Sequence, residues 1–542
     1  MKKHIVVFIT IIFMLSLCTT TVSAQYVQIK TNTMTRTLED TDLDPLDPVV
    51  NVTVTINKIR SLAKNYQSIT SRFWNPTISK IDPFSDPDFY VNVIINEQEF
   101  KSPIEHNTKY VYNPNWSATK NVPKDQEFVN ITIQLWDHNI LGLDRLCDIS
   151  GNSEERPNSR DLQLQYSLKT GHWSGDDYVG TFFFGGSDPS GYGRANGCDD
   201  GSVYQNDRDC ELWFDINQTD YDGDNIPYWT EENIFHTDPT VNNKNDDPNN
   251  DGIPLWWDFK WGFTQSFHHG GPDDDDDGYS FEYNWTYNPF TSSNYSNLDP
   301  DNDGLSNLEE YLTSQWNSDP FCKDLFIEMD QMMGGPNGEP ASIFPNGAKE
   351  LLRTAYDKHN IVYHLDDGSW VGTGSEMIPF DSLTTGGWGH NTSNNELQQI
   401  YNDYFLHGNQ SNWRRGVFHY SIVVYQCSLA NGNAFGGDAF QISSNGLNNK
   451  TKGHPLTDLD VIYASAFMHE TGHTLAIENP AVDNSNSKYI YQLGWWQWRH
   501  YKSVMNYGYM YTIVDYSDGS RGKNDFNDWV TMDLTAFDRG FY

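Results

Sequence analysis

Residues 467–479 read FMHETGHTLAIEN. His469 and His473 stand four apart, and Glu470 directly follows the first. On a helix, residues i and i+4 share a face, so both imidazoles can be offered to one ion. Glu470 is offset by one residue, so it faces the open side of that ion without having to bind it. Imidazole is a zinc ligand, and zinc with an open position brings the pKa of water toward neutrality. A carboxylate beside such an ion can take a proton from the water and hand it to a leaving group. The chemistry expected is zinc-assisted hydrolysis, with His469 and His473 as ligands and Glu470 as general base.

The surrounding elements must hold that helix. Residues 458–476 are expected to form a long helix, flanked by the apolar residues Ile462, Ala466, Phe467, Leu475 and Ile477. Before it come strands expected at 324–329, 361–365 and 417–425, with helices at 347–359 and 396–405 and Asn346 as a helix cap. Residues 485–502 read as an aromatic loop, and 515–529 as a solvated, glycine-rich loop.

Two stretches carry a family resemblance. SVMNY (503–507) resembles the Met-turn of metzincin metallopeptidases, and HETGHTLAIEN (469–479) resembles their long His-Glu-x-x-His motif. The resemblance implies a zincin-like fold, peptide-bond hydrolysis, and Tyr507 binding the metal or steadying the transition state. Two positions depart from the pattern: Ala476 replaces the glycine, and Asn479 stands where a third ligand falls. Among the nearby carboxylates Glu478 and Asp483, Asp483 lies beyond Pro480 in a loop that can fold back over the ion. The third ligand is therefore Asn479 or Asp483, with Asp483 preferred because an amide is a poor zinc ligand.

A second chemistry lies upstream. Four acidic loops begin at Asp220, Asp247, Asp273 and Asp299, spaced 27, 26 and 26 residues apart. Each places an acid or amide at positions 1, 3 and 5, usually a glycine at 6, and all but the third an acid at 12. That pattern suits Ca²⁺, which takes six to eight oxygens. The ligands expected are Asp220, Asp222, Asp224 and Glu231; Asp247, Asn249, Asp251 and Asp258; Asp273, Asp275 and Asp277; and Asp299, Asp301, Asp303 and Glu310. Asn225 replaces the first glycine and can adopt the left-handed conformation. The third loop has Asn284 at position 12, with Glu282 two residues earlier. The array resembles thrombospondin type 3 or dockerin-like repeats.

Residues 25–215 read as all-β. Residues 51–56, 89–94 and 129–136 alternate with period two, and turn residues at 82–88 and 113–116 separate them. SDPDFYVNV (85–93), YNPNWSA (112–118) and ITIQLWDHN (131–139) resemble the strands and turns of a C2-type β-sandwich. That resemblance implies further calcium ligands at Asp82, Asp86, Asp137 and Asp144, with Asn139 in place of one acid, and a membrane-lipid or cell-surface partner.

The chain has 542 residues and a net charge of −39, which excludes a nucleic-acid partner. Lys2, Lys3, an apolar run from Ile5 to Leu17 and Val22-Ser23-Ala24 read as a secretory signal. Five cysteines follow it, and Cys198–Cys210 is the disulfide expected of an exported chain. The expectation is a multidomain protein: signal peptide 1–24, sandwich 25–215, calcium-binding repeats 216–320, and a zincin-like α/β domain 321–542. Its expected function is that of a secreted zinc metalloendopeptidase acting on protein or peptide substrates, stabilised by calcium. The rivals are a calcium-stiffened adhesion protein with a degenerate peptidase domain, and a metal-dependent hydrolase of non-peptide substrates.

Overall fold

Alternating side chains bury one face of each N-terminal strand, which makes two sheets pack on one another. The structure, a computed structural model, describes residues 42–62, 86–139, 142–151, 160–182, 186–200, 208–269, 279–285, 287–291, 295–386, 395–428, 430–435, 437–453, 457–478 and 489–537. All belong to one unit spanning residues 42–542. One sheet runs in the order Arg194–Asn196, Cys210–Gln218, Val50–Ser61, Tyr110–Val122. The other runs Gln98–Lys101, Phe89–Ile95, Phe128–Asp137, Leu162–Ser167, Trp173–Gly175. Val52, Val54 and Ile56 from the first sheet meet Val91, Val93, Ile131 and Ile133 from the second in a shared core. This is an all-β sandwich.

One expected turn is part of a strand. Residues 113–116 lie inside Tyr110–Val122, where Asn113 and Asn115 take positive φ. Tyr112 pairs with Lys58 and Trp116 with Ile56, so the extra residues form a bulge. The expected Cys198–Cys210 bridge is also absent. All five described cysteines are free thiols. Cys210 points into the sandwich core beside Cys147, whereas the Cys198 thiol donates to Asp209 Oδ2 at 3.6 Å.

The acidic loops are followed by short helices. Tyr228–Thr230 runs on into the wider turn Glu231–Phe235, and Leu255–Gly262 and Asn307–Thr313 follow the second and fourth loops. Ile253, Trp257, Trp261 and Tyr287 join the sandwich core, so the repeats are packed on the sandwich. The third repeat differs from the expected loop. Its residues after the acids form the strand Tyr279–Trp285, paired antiparallel with Phe263–His269. Asp273, Asp275 and Asp277 lie outside the described residues, as does the side chain of Asn284.

The C-terminal part is α/β. Its sheet runs Val362–Asp366, Asp324–Met332, Phe418–Val424, Ala439–Ser443, Gly432–Ala434, parallel except for the antiparallel last strand. Leu325, Ile327 and Met329 face one core, and Phe326 faces the other. The first core is covered by the helices Asn346–Asp357 and Leu459–Thr474. Pro345, not Asn346, occupies the cap of the earlier helix, and no side chain caps it. The later helix is apolar on nearly every side, as expected of one buried all round. The expected aromatic loop contains a six-residue helix, Leu493–Trp498. The 515–529 stretch is anchored rather than freely solvated: Asp528 is buried and accepts from the Tyr501 hydroxyl at 2.8 Å and Ser517 N at 3.1 Å. Among the described residues no helix is long and apolar enough to cross a membrane.

Candidate functional site

The long helix brings His469 and His473 together as the i, i+4 spacing requires. Their Nε2 atoms are 3.2 Å apart. Two nitrogens on one tetrahedral zinc, each about 2.0–2.1 Å from it, lie about 3.3 Å apart, so the pair fits that ion. His469 Nδ1 lies 2.8 Å from Val504 O. A carbonyl only accepts, so Nδ1 carries the proton and Nε2 keeps its lone pair for a ligand. Burial pushes His469 down to about 3 and His473 down to about 4, which keeps both imidazoles neutral at pH 7.

Val504 is the second residue of SVMNY. Met505 is fully buried beneath the helix, at the level of Gly472. The Tyr507 ring lies 5.2 Å from that of His469. Glu470 is 3% exposed, and the Ala434 N–H donates to its carboxylate. Burial pushes Glu470 up to about 8, and a cation beside it would draw it back down. Its carboxylate lies against the edge strand Gly432–Ala434, where a Cβ on Gly432 would come within 2.4 Å of Oε1. Asn479 and Asp483 lie outside the described residues.

Sequence reasoning missed two residues of this wall. The Tyr511 phenol feels the Glu470 charge and hydrogen-bonds the Asn431 side chain. Tyr511 also takes φ +69, a strained conformation for a bulky residue, and its amide donates to Ser465 Oγ at 2.9 Å. Nothing in the local sequence marks either residue, because both reach Glu470 only through the fold.

Three acidic loops share one internal hydrogen-bond pattern. The amide at position 6 donates to the Oδ2 of position 1: Asn225 to Asp220 at 2.8 Å, Gly252 to Asp247 at 3.0 Å, Gly304 to Asp299 at 3.1 Å. The next amide donates to the Oδ1 of position 5: Ile226 to Asp224 at 2.8 Å, Ile253 to Asp251 at 3.0 Å, Leu305 to Asp303 at 2.8 Å. Position 6 has positive φ in each, with Asn225 at +66. Asp220, Asp222 and Asp224 converge within ligand distance of one another, and so do Asp299, Asp301 and Asp303. Asn249 binds Asp251 and accepts its amide in the second loop.

The acids at position 12 are buried beneath the loops. Glu231, Asp258 and Glu310 are each no more than 1% exposed. Glu231 Oε2, both oxygens of Asp258 and both of Glu310 have no hydrogen-bond partner. Burial pushes Glu231 and Asp258 up to about 8, and Glu310 well above the usual carboxylate range. A buried carboxylate without a partner is costly unless it is protonated or meets a cation. The loops thus fit a hard cation at each buried acid. Sequence reasoning also missed Asp324, whose carboxylate joins those of Asp303 and Glu310.

The residues expected at the sandwich edge are held by local partners. Asp86 lies 3.7 Å from Lys109 Nζ, and Asp137 Oδ2 lies 4.0 Å from Arg145. Asp144 accepts from Asn139 N at 3.0 Å, Tyr90 OH at 2.9 Å and His138 at 2.9 Å. Among the described residues these acids do not converge as one ligand set. Asp82 lies outside them.

No family model and no curated relative matches the chain. Among solved structures it is similar to human GIVD cytosolic phospholipase A2, at 12% identity and a TM-score of 0.18, over 33% of this chain and 17% of that one. It is also similar to a C2 domain at 13% identity and a TM-score of 0.17, covering 31% of this chain and 98% of the other. A C2 domain of plant Extended Synaptotagmin 1 matches at 13% identity and a TM-score of 0.17, over 31% and 96%. The match spans about a sixth of the phospholipase. The sandwich is defined by its own two packed sheets.

Proposed function

We propose that this chain is an exported zinc metalloendopeptidase whose acidic repeats bind calcium. One observation supports the zinc reading above the others: buried His469 and half-buried His473, both held neutral, present Nε2 atoms 3.2 Å apart, with His469 oriented by Val504 O. Zinc held by this pair would supply Lewis acidity, lowering the pKa of a water and polarising a carbonyl. Asp483 or Asn479 would complete the ligand set. Glu470 would move the proton: its carboxylate accepts from the Ala434 amide, and in its ionised form it can take a proton from a water and release it to a departing amine. Tyr507 flanks His469 and can donate to a developing oxyanion.

The substrate would be a polypeptide. Among the described residues Gly432–Ala434 is the last strand of its sheet and is paired with Ala439–Ser443 alone. An extended peptide can add to such an edge through main-chain hydrogen bonds, which would lay its carbonyls along the strand that holds Glu470. The repeats, once loaded with calcium, would stiffen the chain against its own activity. The sandwich is a candidate contact for a lipid or cell surface.

The test is casein hydrolysis by wild type and Glu470→Ala, with zinc content measured on both. About one zinc per chain is expected in each, and cleavage in wild type alone, because Glu470 is base and not ligand. A wild type that takes up no zinc, or a Glu470→Ala variant that cleaves as wild type does, would end this reading.

A further inference from the structure

The fourth acidic loop differs from the first two in what lies beneath it. Asp303, Glu310 and Asp324 bring carboxylate oxygens within 4.8 Å of one another, and all three are buried. Asp303 also belongs to the group formed with Asp299 and Asp301, so the two groups are continuous. Glu310 is fully buried and neither of its oxygens has a hydrogen-bond partner. Asp324 Oδ2 accepts from the Ser318 hydroxyl at 3.2 Å and from the Asp319 amide at 3.0 Å. Asp301 Oδ2 is likewise buried without a partner. Among the described residues no Lys or Arg forms an ion pair with any of these acids; His364 Nε2 lies 2.5 Å from Asp324 Oδ1, and burial pushes that imidazole well below its ordinary pKa, so it brings a hydrogen bond and not a charge.

Asp324 is not part of the loop. It opens Asp324–Met332, the strand flanked by Val362–Asp366 and Phe418–Val424 in the α/β sheet. Its amide donates to Asp303 Oδ2 at 2.7 Å, which fixes strand and loop in register. Among the described residues, the first loop's group draws on Asp220, Asp222 and Asp224 alone.

We propose that the cation of the fourth loop is bound by Asp299, Asp301, Asp303, Glu310 and also Asp324, so that one calcium-class ion ties the repeats to the sheet beneath the His469–His473 helix. This deepens the calcium half of the proposed function and rests on it, but not on the zinc half. A hard cation takes six to eight oxygens, and a buried glutamate with both oxygens unpartnered beside a second acid suits it. The ion orders the first residue of a central strand, so calcium acts on the α/β part as well as on the loops.

The experiment uses the full chain and calcium chloride. Calcium binding is titrated for wild type, Glu310→Gln, Asp324→Asn and Asp220→Asn, and hydrogen exchange is followed over 324–332 with and without calcium. Asp324→Asn and Glu310→Gln should each weaken the same site about ten-fold or more. Asp220→Asn should weaken a different one. Calcium should slow exchange over 324–332 in wild type and in Asp220→Asn. The proposal is overturned if Glu310→Gln loses a site while Asp324→Asn keeps all of them, or if calcium protects 299–310 and leaves 324–332 unchanged. A wild type that binds no calcium would overturn the loop reading itself, a distinct result. Should Asp324→Asn fail to fold, the wild-type exchange measurement decides.

Discussion

Gly472 sits between the paired histidines, and the space it leaves is the tightest test of how the helix meets SVMNY. A Cβ at Gly472 would come within 2.6 Å of Met505 Sδ and 3.0 Å of the Tyr516 hydroxyl. Neither can retreat. Met505 is fully buried, and Tyr516 is 1% exposed with its hydroxyl donating to Met468 O at 2.6 Å. In an open helix, Gly→Ala gains about 1 kcal/mol. Overpacking a filled core costs about 1–3 kcal/mol. Gly472→Ala should therefore lose about 0–2 kcal/mol net, the strain falling on Met505, next to the Val504 carbonyl that holds His469. Urea unfolding measures the loss, and a zinc-chelator competition measures the drop in metal affinity. Met505→Ala alone should cost about 2–5 kcal/mol. In the double variant the new methyl fills part of the space left by Met505, so the combined loss should fall short of the sum by about 1 kcal/mol or more. A Gly472→Ala variant that gains its full helix propensity, with Met505→Ala adding independently, would refute this contact.

His419 is fully buried with neither ring nitrogen hydrogen-bonded, and burial pushes it down to about 3. Its folded pKa lies below its unfolded value, so its contribution is complete above about pH 6.5 and is lost as pH falls, at about 1.4 kcal/mol per pH unit. His419→Phe should remove that slope and leave a flatter stability profile between about pH 6.5 and 4, read by urea titration. Asp357, at the end of the helix Asn346–Asp357, accepts from Arg60 and, at 3.2 Å, from Arg194, both buried on the sandwich sheet; Glu211 accepts from the same two arginines at 3.0 and 2.7 Å. Asp357→Asn leaves buried guanidinium charge undercompensated and should cost about 3–5 kcal/mol, seen in calorimetry as a lower Tm; an unchanged Tm would show that Glu211 suffices.

Much of the fold was legible where one periodicity decided it. The strands around Val52, Val91 and Ile131 alternate because one face is buried, and the helix over Leu459–Thr474 follows from its apolar residues. The misreadings share a cause: local chemistry served a different tertiary end. Asn113-Pro-Asn-Trp116 has turn residues, but the positive φ values at Asn113 and Asn115 let the strand bulge rather than reverse. The third acidic repeat keeps the spacing of its neighbours, yet the aromatic, alternating Tyr279–Trp285 pairs more favourably as a hairpin arm than as a loop and helix. Cys198 and Cys210 are close in sequence, but Cys210 alternates inward on its strand and meets Cys147 instead.

The candidate site divides along the same line. His469, Glu470 and His473 could be read because helical spacing alone brings them to one end of a helix. The acids of the first, second and fourth loops could be read because each of those loops closes on itself, its position-6 amide returning to position 1. Ala434, Asn431, Tyr511 and Asp324 could not be read, since each reaches its partner from another element. Those are the groups that orient the local ones. Ala434 fixes Glu470, Val504 chooses the tautomer of His469, and Asp324 shares the cavity of Glu310. A motif supplies the reactive atoms, but their orientation and burial come from elements distant in the chain. Substitutions at Gly472, Met505 and Asp324 therefore probe that control directly, whereas removing His469 or Glu470 only deletes what it acts upon.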